Sequence, residues 1–255
     1  DEGDSAALTD VSVAFTDDLT TFSFDPAEYL GSATEDVTYA VFLSDAIVNT
    51  DGDAVIDDGG YLWYFTTGTT IDVTPPQVQS VSPADGTTKD RNIMVQMTFD
   101  EAVDPTSASG TRETDSGFSN IQVVGMLSTA PVAGTYSVSN GYRTVTFAST
   151  DACGTNSCNE TVYCLPGGES MTTTIASATP TSSTNPTALA YPYDCIVYTS
   201  GNAFDCDGDG AVAAVDDYIW SFAATNDYNA DGPTIETITP DILGENLDLD
   251  QAVNM

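Results

Sequence analysis

The chain has 255 residues, 41% of them hydrophobic, which is enough to bury the cores of two ordinary domains and excludes a disordered acidic tail. Lys and Arg number 4 against 39 Asp and Glu, a formal net charge of -35 that repels phosphate backbones and anionic bilayers and excludes nucleic acid as a partner. Such self-repulsion opposes compaction unless salt screens it over about 10 Å or divalent cations neutralise part of it, so a saline or calcium-containing environment is expected.

Along the chain, apolar residues recur with period two in Val11/Val13/Phe15, Tyr39/Val41/Leu43, Ile93/Val95/Met97/Phe99 and Tyr218/Trp220/Phe222. These are predicted strands with one buried face. Turn clusters separate them, as at Asp58-Gly59-Gly60, Pro83-Ala84-Asp85-Gly86 and Ser139-Asn140-Gly141, and no sustained helical stripe is present. The class is all-β, a sandwich. No run approaches the roughly 18 apolar residues of a membrane helix, since Tyr39 to Leu43 gives way to Ser44 and Asp45. Nor does Asp1 open a basic and then apolar leader, so a signal peptide is expected to have been removed or to lie far upstream.

Internal repetition is the more informative signal. Tyr61-Leu62-Trp63-Tyr64-Phe65-Thr66-Thr67 matches Tyr218-Ile219-Trp220-Ser221-Phe222-Ala223-Ala224, and Pro76 to Pro83 matches Pro233 to Pro240, both at one offset of 157 (220 − 63 and 233 − 76). A third match sets Val11 to Phe24 against Gly134 to Phe147. The organisation that follows is a C-terminal half module in 1–72, a complete module in 73–228 and the first strands of a third in 229–255. Between the aligned Phe and Trp the complete module is 34 residues longer (220 − 147 against 63 − 24), and this excess is expected as a cysteine-bearing insertion at about 151–206.

The complete module opens Thr74-Pro75-Pro76-x-Val78-x-Ser80-x-Ser82-Pro83-Ala84-Asp85-Gly86 and continues Ile93-x-Val95-x-Met97-Thr98-Phe99-Asp100-Glu101-Ala102-Val103-Asp104-Pro105. It closes on an Asp-Gly turn before Tyr218-x-Trp220-x-Phe222. This resembles the tandem bacterial Ig-like domains of S-layer and adhesin-type surface proteins, apart from the insertion. The resemblance implies tandem immunoglobulin-like sandwiches and an extracellular spacer or fibre role, and names no ligand.

Asp205, Asp207, Asp209 and Asp216 stand at positions 1, 3, 5 and 12 of a calcium-loop spacing, with Gly210 at 6 and the Ala211 carbonyl at 7. Hard Ca²⁺ takes six to eight oxygens, which alternate side chains of a curling loop present. Asp at position 12 is a shorter arm than the usual Glu, and the competing reading is a solvated Asp/Gly turn. Asn49, Asp51 and Asp53 take the equivalent place before Trp63, with Asp57 and Asp58 as supplements.

Cys195 and Cys206 flank a hairpin-like segment and are expected to be bridged, which leaves one pair and one odd thiol among Cys153, Cys158 and Cys164. A zinc site is the rival, but the chain has no His and no short Cys-x-x-Cys. Clustered cysteines of this kind favour an oxidising, exported setting. Asn159-Glu160-Thr161 is a glycosylation sequon, and the Ser/Thr/Pro-rich run Ser170 to Pro186 is a candidate for O-linked sugar. Tyr136, Tyr142, Tyr191, Tyr193 and Tyr198 suit a carbohydrate surface or, more commonly on strands, core packing. Without His, a serine elbow or more than one Lys, the usual nucleophile and base pairs are missing and an enzyme is not expected.

The sequence therefore reads as a structural component of an extracellular fibre, stalk or surface layer, with an adhesin using the insertion to bind a surface glycan or protein as the alternative. Its partners are copies of itself or adjacent modules, head to tail. The tail of one copy completes the head of the next by strand addition, or the chain is a window on a longer string of modules; the missing counterpart of about residues 98–123 favours the window. The calcium loop is testable directly. Residues 205–216 are expected to bind Ca²⁺ in the roughly 10⁻⁴ to 10⁻³ M range, with chelation lowering the melting temperature and Asp209→Ala removing that effect; equal melting in chelator and in millimolar calcium would leave a plain turn.

Overall fold

The computed structural model describes residues 7–9, 11–26, 30–56, 59–70, 76–176 and 217–231. Two hairpins come first: β1 (Val11–Phe15) with β2 (Phe22–Pro26), and β3 (Val37–Leu43) with β4 (Tyr61–Thr67). There follow β5 (Val78–Ser82), β6 (Thr88–Lys89) and β7 (Val95–Phe99), then α1 (Pro105–Ala108), β8 (Gly110–Arg112), β9 (Ile121–Gly125), β10 (Gly134–Ser139) and β11 (Thr144–Ser149). β12 (Ala152–Thr155), β13 (Thr161–Tyr163), β14 (Glu169–Ile175) and β15 (Tyr218–Ala224) complete the described set. Apart from one helical turn, the regular structure among the described residues is strand. The one-turn α1 starts where Pro105 pre-sets the first helical φ and the Asp104 carboxylate accepts the Thr106 N–H at 2.8 Å.

Residues 78–176 and 217–224 build one sandwich. Its first sheet runs β5-β7-β11-β10-β8, every neighbour antiparallel, and its second runs β6-β15-β14-β9, antiparallel except for the β6–β15 pair. The core is what period-two patterning dictates: Val95, Met97 and Phe99 with Tyr136, Val145 and Phe147 from one sheet, against Ile121, Val123, Met171, Ile175, Trp220, Phe222 and Ala224 from the other. Phe147 packs on Tyr136 with ring centroids 4.8 Å apart, and a Cβ on Gly134 would run into that Phe147 ring. The strand needs its glycine there.

The two front hairpins repeat the sandwich strands in register. Val13↔Phe24 and Tyr136↔Phe147 are the same pair at an offset of 123, while Val41↔Trp63 and Thr173↔Trp220 correspond at offsets of 132 and 157. Tyr61–Trp63 and Tyr218–Trp220 even hold their ring centroids at the same 5.7 Å. These offsets divide the 34 extra residues of the longer module. Nine (132 − 123) precede β14 and accompany the β12–β13 hairpin, and 25 (157 − 132) lie between β14 and β15.

The insertion expected at 151–206 is corrected accordingly. β14 falls inside that span, yet it is a central strand between β15 and β9, with Met171, Thr173 and Ile175 facing the core. Its residues Glu169-Ser170-Met171-Thr172-Thr173-Thr174-Ile175 merge in sequence with the Ser/Thr/Pro-rich run, although β-branched Thr is a good strand former. Part of the proposed O-glycan run is thereby taken into the sheet.

Thr173 is fully buried opposite Trp220, and its hydroxyl has no hydrogen-bond partner among the described residues. The repeat has Val41 at this position. Thr173→Val should raise stability by about 1 kcal/mol, because it removes a desolvated hydroxyl without changing shape. Urea unfolding with an unchanged m-value is the measurement; a loss of stability would show that the hydroxyl is bonded.

Candidate functional site

The residues leaving the sandwich are held by the part that the first module lacks. Cys153 and Cys164 are bridged across the β12–β13 hairpin with Cα atoms 5.8 Å apart, and Cys164 and Leu165 are buried in the sandwich end. This settles the pairing left open among the three cysteines; Cys158 is exposed and has no bridge among the described residues. The Cys164 carbonyl accepts from Ser149 Oγ at 2.7 Å, and the Leu165 N–H donates to the Arg91 carbonyl at 2.7 Å. The hairpin base is thus sewn to β11 and to the segment after β6.

Against that hairpin runs the exit segment that follows β15. Tyr228 lays its ring on Gly154, where any Cβ would collide with it, and Ser157 N–H donates to the Ala230 carbonyl. Asn92 holds the same segment from the other side, donating through Nδ2 to the Asn229 carbonyl at 2.8 Å and accepting the Asn229 N–H at 2.9 Å. Arg91 N–H reaches the Asp227 carbonyl at 3.1 Å. A backbone otherwise free to swing is fixed as it departs toward residues 232–255.

The second feature is an uncovered face. Phe24 is 48% exposed where its counterpart Phe147 is 0% exposed, and Phe65 is 37% exposed against 2% for Phe222. Val13, Phe15 and Phe22 are likewise exposed on the β1–β2 hairpin, although the matching sandwich positions face the core. The turn of that hairpin is nonetheless well made. Asp18 Oδ1 accepts from Thr16 Oγ1, Thr20 Oγ1 and Thr20 N–H at 2.6, 2.8 and 3.1 Å, and these bonds, Thr16 first, hold the carboxyl below its ordinary pKa.

The sequence candidates for calcium fare differently. Asn49 Oδ1 accepts the N–H groups of Asp51 and Asp53, both at 2.9 Å, and Asn49 N–H returns to the Asp53 carbonyl at 2.9 Å, so the loop is closed by its own hydrogen bonds. Among the described residues no three His, Cys, Asp or Glu side chains gather closely enough to hold a metal ion. Asp205, Asp207, Asp209, Ala211 and Asp216 lie outside the described residues, as do Asp57, Asp58, Cys195 and Cys206. Asn159 sits exposed at the β12–β13 turn with φ 62°. Tyr136 is core, packed between Phe118 and Phe147, and burial raises its phenol well above the ordinary range; Tyr142 is exposed. The exit clamp was invisible in the sequence, because nothing in the Cys spacing says what the bridged hairpin leans on.

Residues 72–165 match the family described as bacterial Ig-like domain. That stretch is similar to a bacterial Ig-like domain, and the sandwich has the Ig-like fold. The match takes in β5 to β13 and stops short of β14, although the Ig-like domain needs β14 and β15 to close its second sheet. Domains of this kind are non-catalytic modules found in bacterial surface-exposed proteins. No curated protein matches the chain.

Opening the Cys153–Cys164 bridge of the Ig-like domain releases a loop closure of about 3 kcal/mol in the chain-entropy account. The exit segment should feel it first. Reduction, or Cys153→Ser with Cys164→Ser, should speed amide exchange at residues 227–230 while leaving β11 and β15 protected. Unchanged exchange at 227–230 would mean that the hairpin does not hold the exit.

Proposed function

We propose that the chain is a structural component of an extracellular fibre, stalk or surface layer made of tandem Ig-like modules. The observation that carries this is the register match: residues 11–67 repeat β10, β11, β14 and β15 of the Ig-like domain pair for pair, in front of a domain that holds all nine sandwich strands. A string of like units has the form of a spacer. The disulfide-pinned exit supports it, since a clamp on the departing backbone limits how far the next unit can tilt.

Calcium belongs to this proposal as a stiffener. Ions bound at residues 205–216 would neutralise clustered carboxylates and tie a connection to its neighbouring strand. Chemistry has little support. The cleft where the Thr16–Thr21 turn meets Pro105, Gly110 and Tyr136 is lined by hydroxyls, Asp17 and Asp18, and offers no nucleophile and base pair.

Antibodies against the chain should label intact, unpermeabilised source cells or their shed filaments, and the purified chain should show no saturable binding on glycan and host-protein arrays. Labelling that needs permeabilisation contradicts an extracellular role. A saturable ligand would instead establish the adhesin reading.

A further inference from the structure

We propose, building on the extracellular reading, that Asn159 carries an N-linked glycan and that this sugar stands over the segment by which the chain leaves the Ig-like domain. Asn159-Glu160-Thr161 is an acceptor pattern, an asparagine carboxamide with a hydroxyl two residues on and no proline between them. The nearest rival in the sequence, Asn185-Pro186-Thr187, is disqualified by its proline. Chance supplies such triplets readily, so the fold around this one has to decide.

The turn between β12 and β13 uses its two asparagines in opposite ways. Asn156 builds it. Its Oδ1 accepts the N–H groups of Cys158 and Glu160, both at 2.9 Å, its Nδ2 donates to Glu160 Oε2 at 3.0 Å, and its own N–H donates to the Glu160 carbonyl at 3.0 Å. Asn159 lends the turn only its backbone: its N–H donates to the Asn156 carbonyl at 3.0 Å, while its carboxamide makes no hydrogen bond among the described residues. The left-handed φ of 62° accounts for an asparagine at 159, or equally a glycine. It does not account for the hydroxyl at 161. Thr161 opens β13 opposite Thr155, where valine would serve a strand as well, and its hydroxyl too makes no hydrogen bond among the described residues. Asn159, Glu160 and Thr161 are exposed in succession. Carboxamide and hydroxyl are thus presented together on a turn that depends on neither.

The same turn leans on the exit segment. Two residues before Asn159, the Ser157 N–H donates to the Ala230 carbonyl at 3.4 Å, and at the base of the hairpin Tyr228 lies on Gly154 beside the Cys153–Cys164 bridge. Asn226, Asp227, Asn229 and Asp231 are exposed along that segment. A bulky hydrated group on Asn159 shields them from proteases. The donor is an oligosaccharide carried on a lipid phosphate: Asn159 Nδ2 bonds to the anomeric carbon, the bond from that carbon to the phosphate oxygen breaks, the lipid phosphate leaves with the electron pair, and one amide proton passes to base.

Mass mapping of the chain recovered from the surface of the cells that make it is the test. The peptide containing Asn159 should carry sugar, and enzymatic release of the glycan at the amide should leave aspartate at 159. Thr161→Ala should lose the glycan and Thr161→Ser keep it, and neither touches the Asn156 bonds that make the turn. A protease specific for acidic residues should cut at Asp227 and Asp231 several times faster in Thr161→Ala than in Thr161→Ser. An unmodified Asn159, or sugar confined to the hydroxyls of Thr155, Ser157 or Thr161, overturns the site, and equal cleavage of the two variants overturns the shielding. Surface labelling with an unmodified Asn159 sinks this site alone, whereas labelling only after permeabilisation removes the extracellular reading beneath it.

Discussion

A sheet whose alternate residues are apolar has to be covered, and that single demand organises this molecule. In residues 78–224 it is met: Phe147 and Met97 on one sheet and Phe222 and Met171 on the other are all but removed from water. Each such side chain contributes about 1.5–3 kcal/mol by leaving water. Residues 11–67 carry the same alternation and the same pairings, yet Phe22, Phe24 and Phe65 remain in solvent. Hairpins alone are marginal in water. The difference between the two regions therefore lies in which strands stand beside them, since local sequence pattern and register are alike.

The acidic composition bears on the same point. A net charge of -35 keeps chains apart at low ionic strength, while apolar faces and sheet edges draw them together once the charge is screened. An uncovered edge is ordinarily an aggregation hazard. Here the acidic charge opposes such pairing between copies. The exit clamp, in turn, fixes where residues 227–231 leave the domain.

Much of this was legible from the residues. Period-two patterning found the strands around Val95, Tyr39 and Trp220, and the offset of 157 between Trp63 and Trp220 anticipated the register that the two hairpins share. The pairing Val13↔Phe24 against Tyr136↔Phe147 was also contained in the alignment. β14 was hidden because Thr172, Thr173 and Thr174 look like the start of a polar linker, and only the neighbouring strands β9 and β15 make Thr173 a core residue. The bridge Cys153–Cys164 was one of three possibilities in sequence; choosing among them required knowing that β12 and β13 pair. The clamp on Tyr228 and Asn229 joins residues about 70 and 137 positions apart, contacts that no local pattern encodes.

The central claim is that residues 11–67 pair their strands as β10, β11, β14 and β15 do in the Ig-like domain, without the neighbouring strands that complete the sheets there among the described residues. Amide hydrogen exchange in β2 and β4 addresses it most directly. The outer-edge amides of Phe22–Pro26 and Tyr61–Thr67 should exchange much faster than the amides of β11 and β15, while those bonded within each hairpin exchange more slowly. Protection of both edges equal to that of β11 and β15 would contradict it.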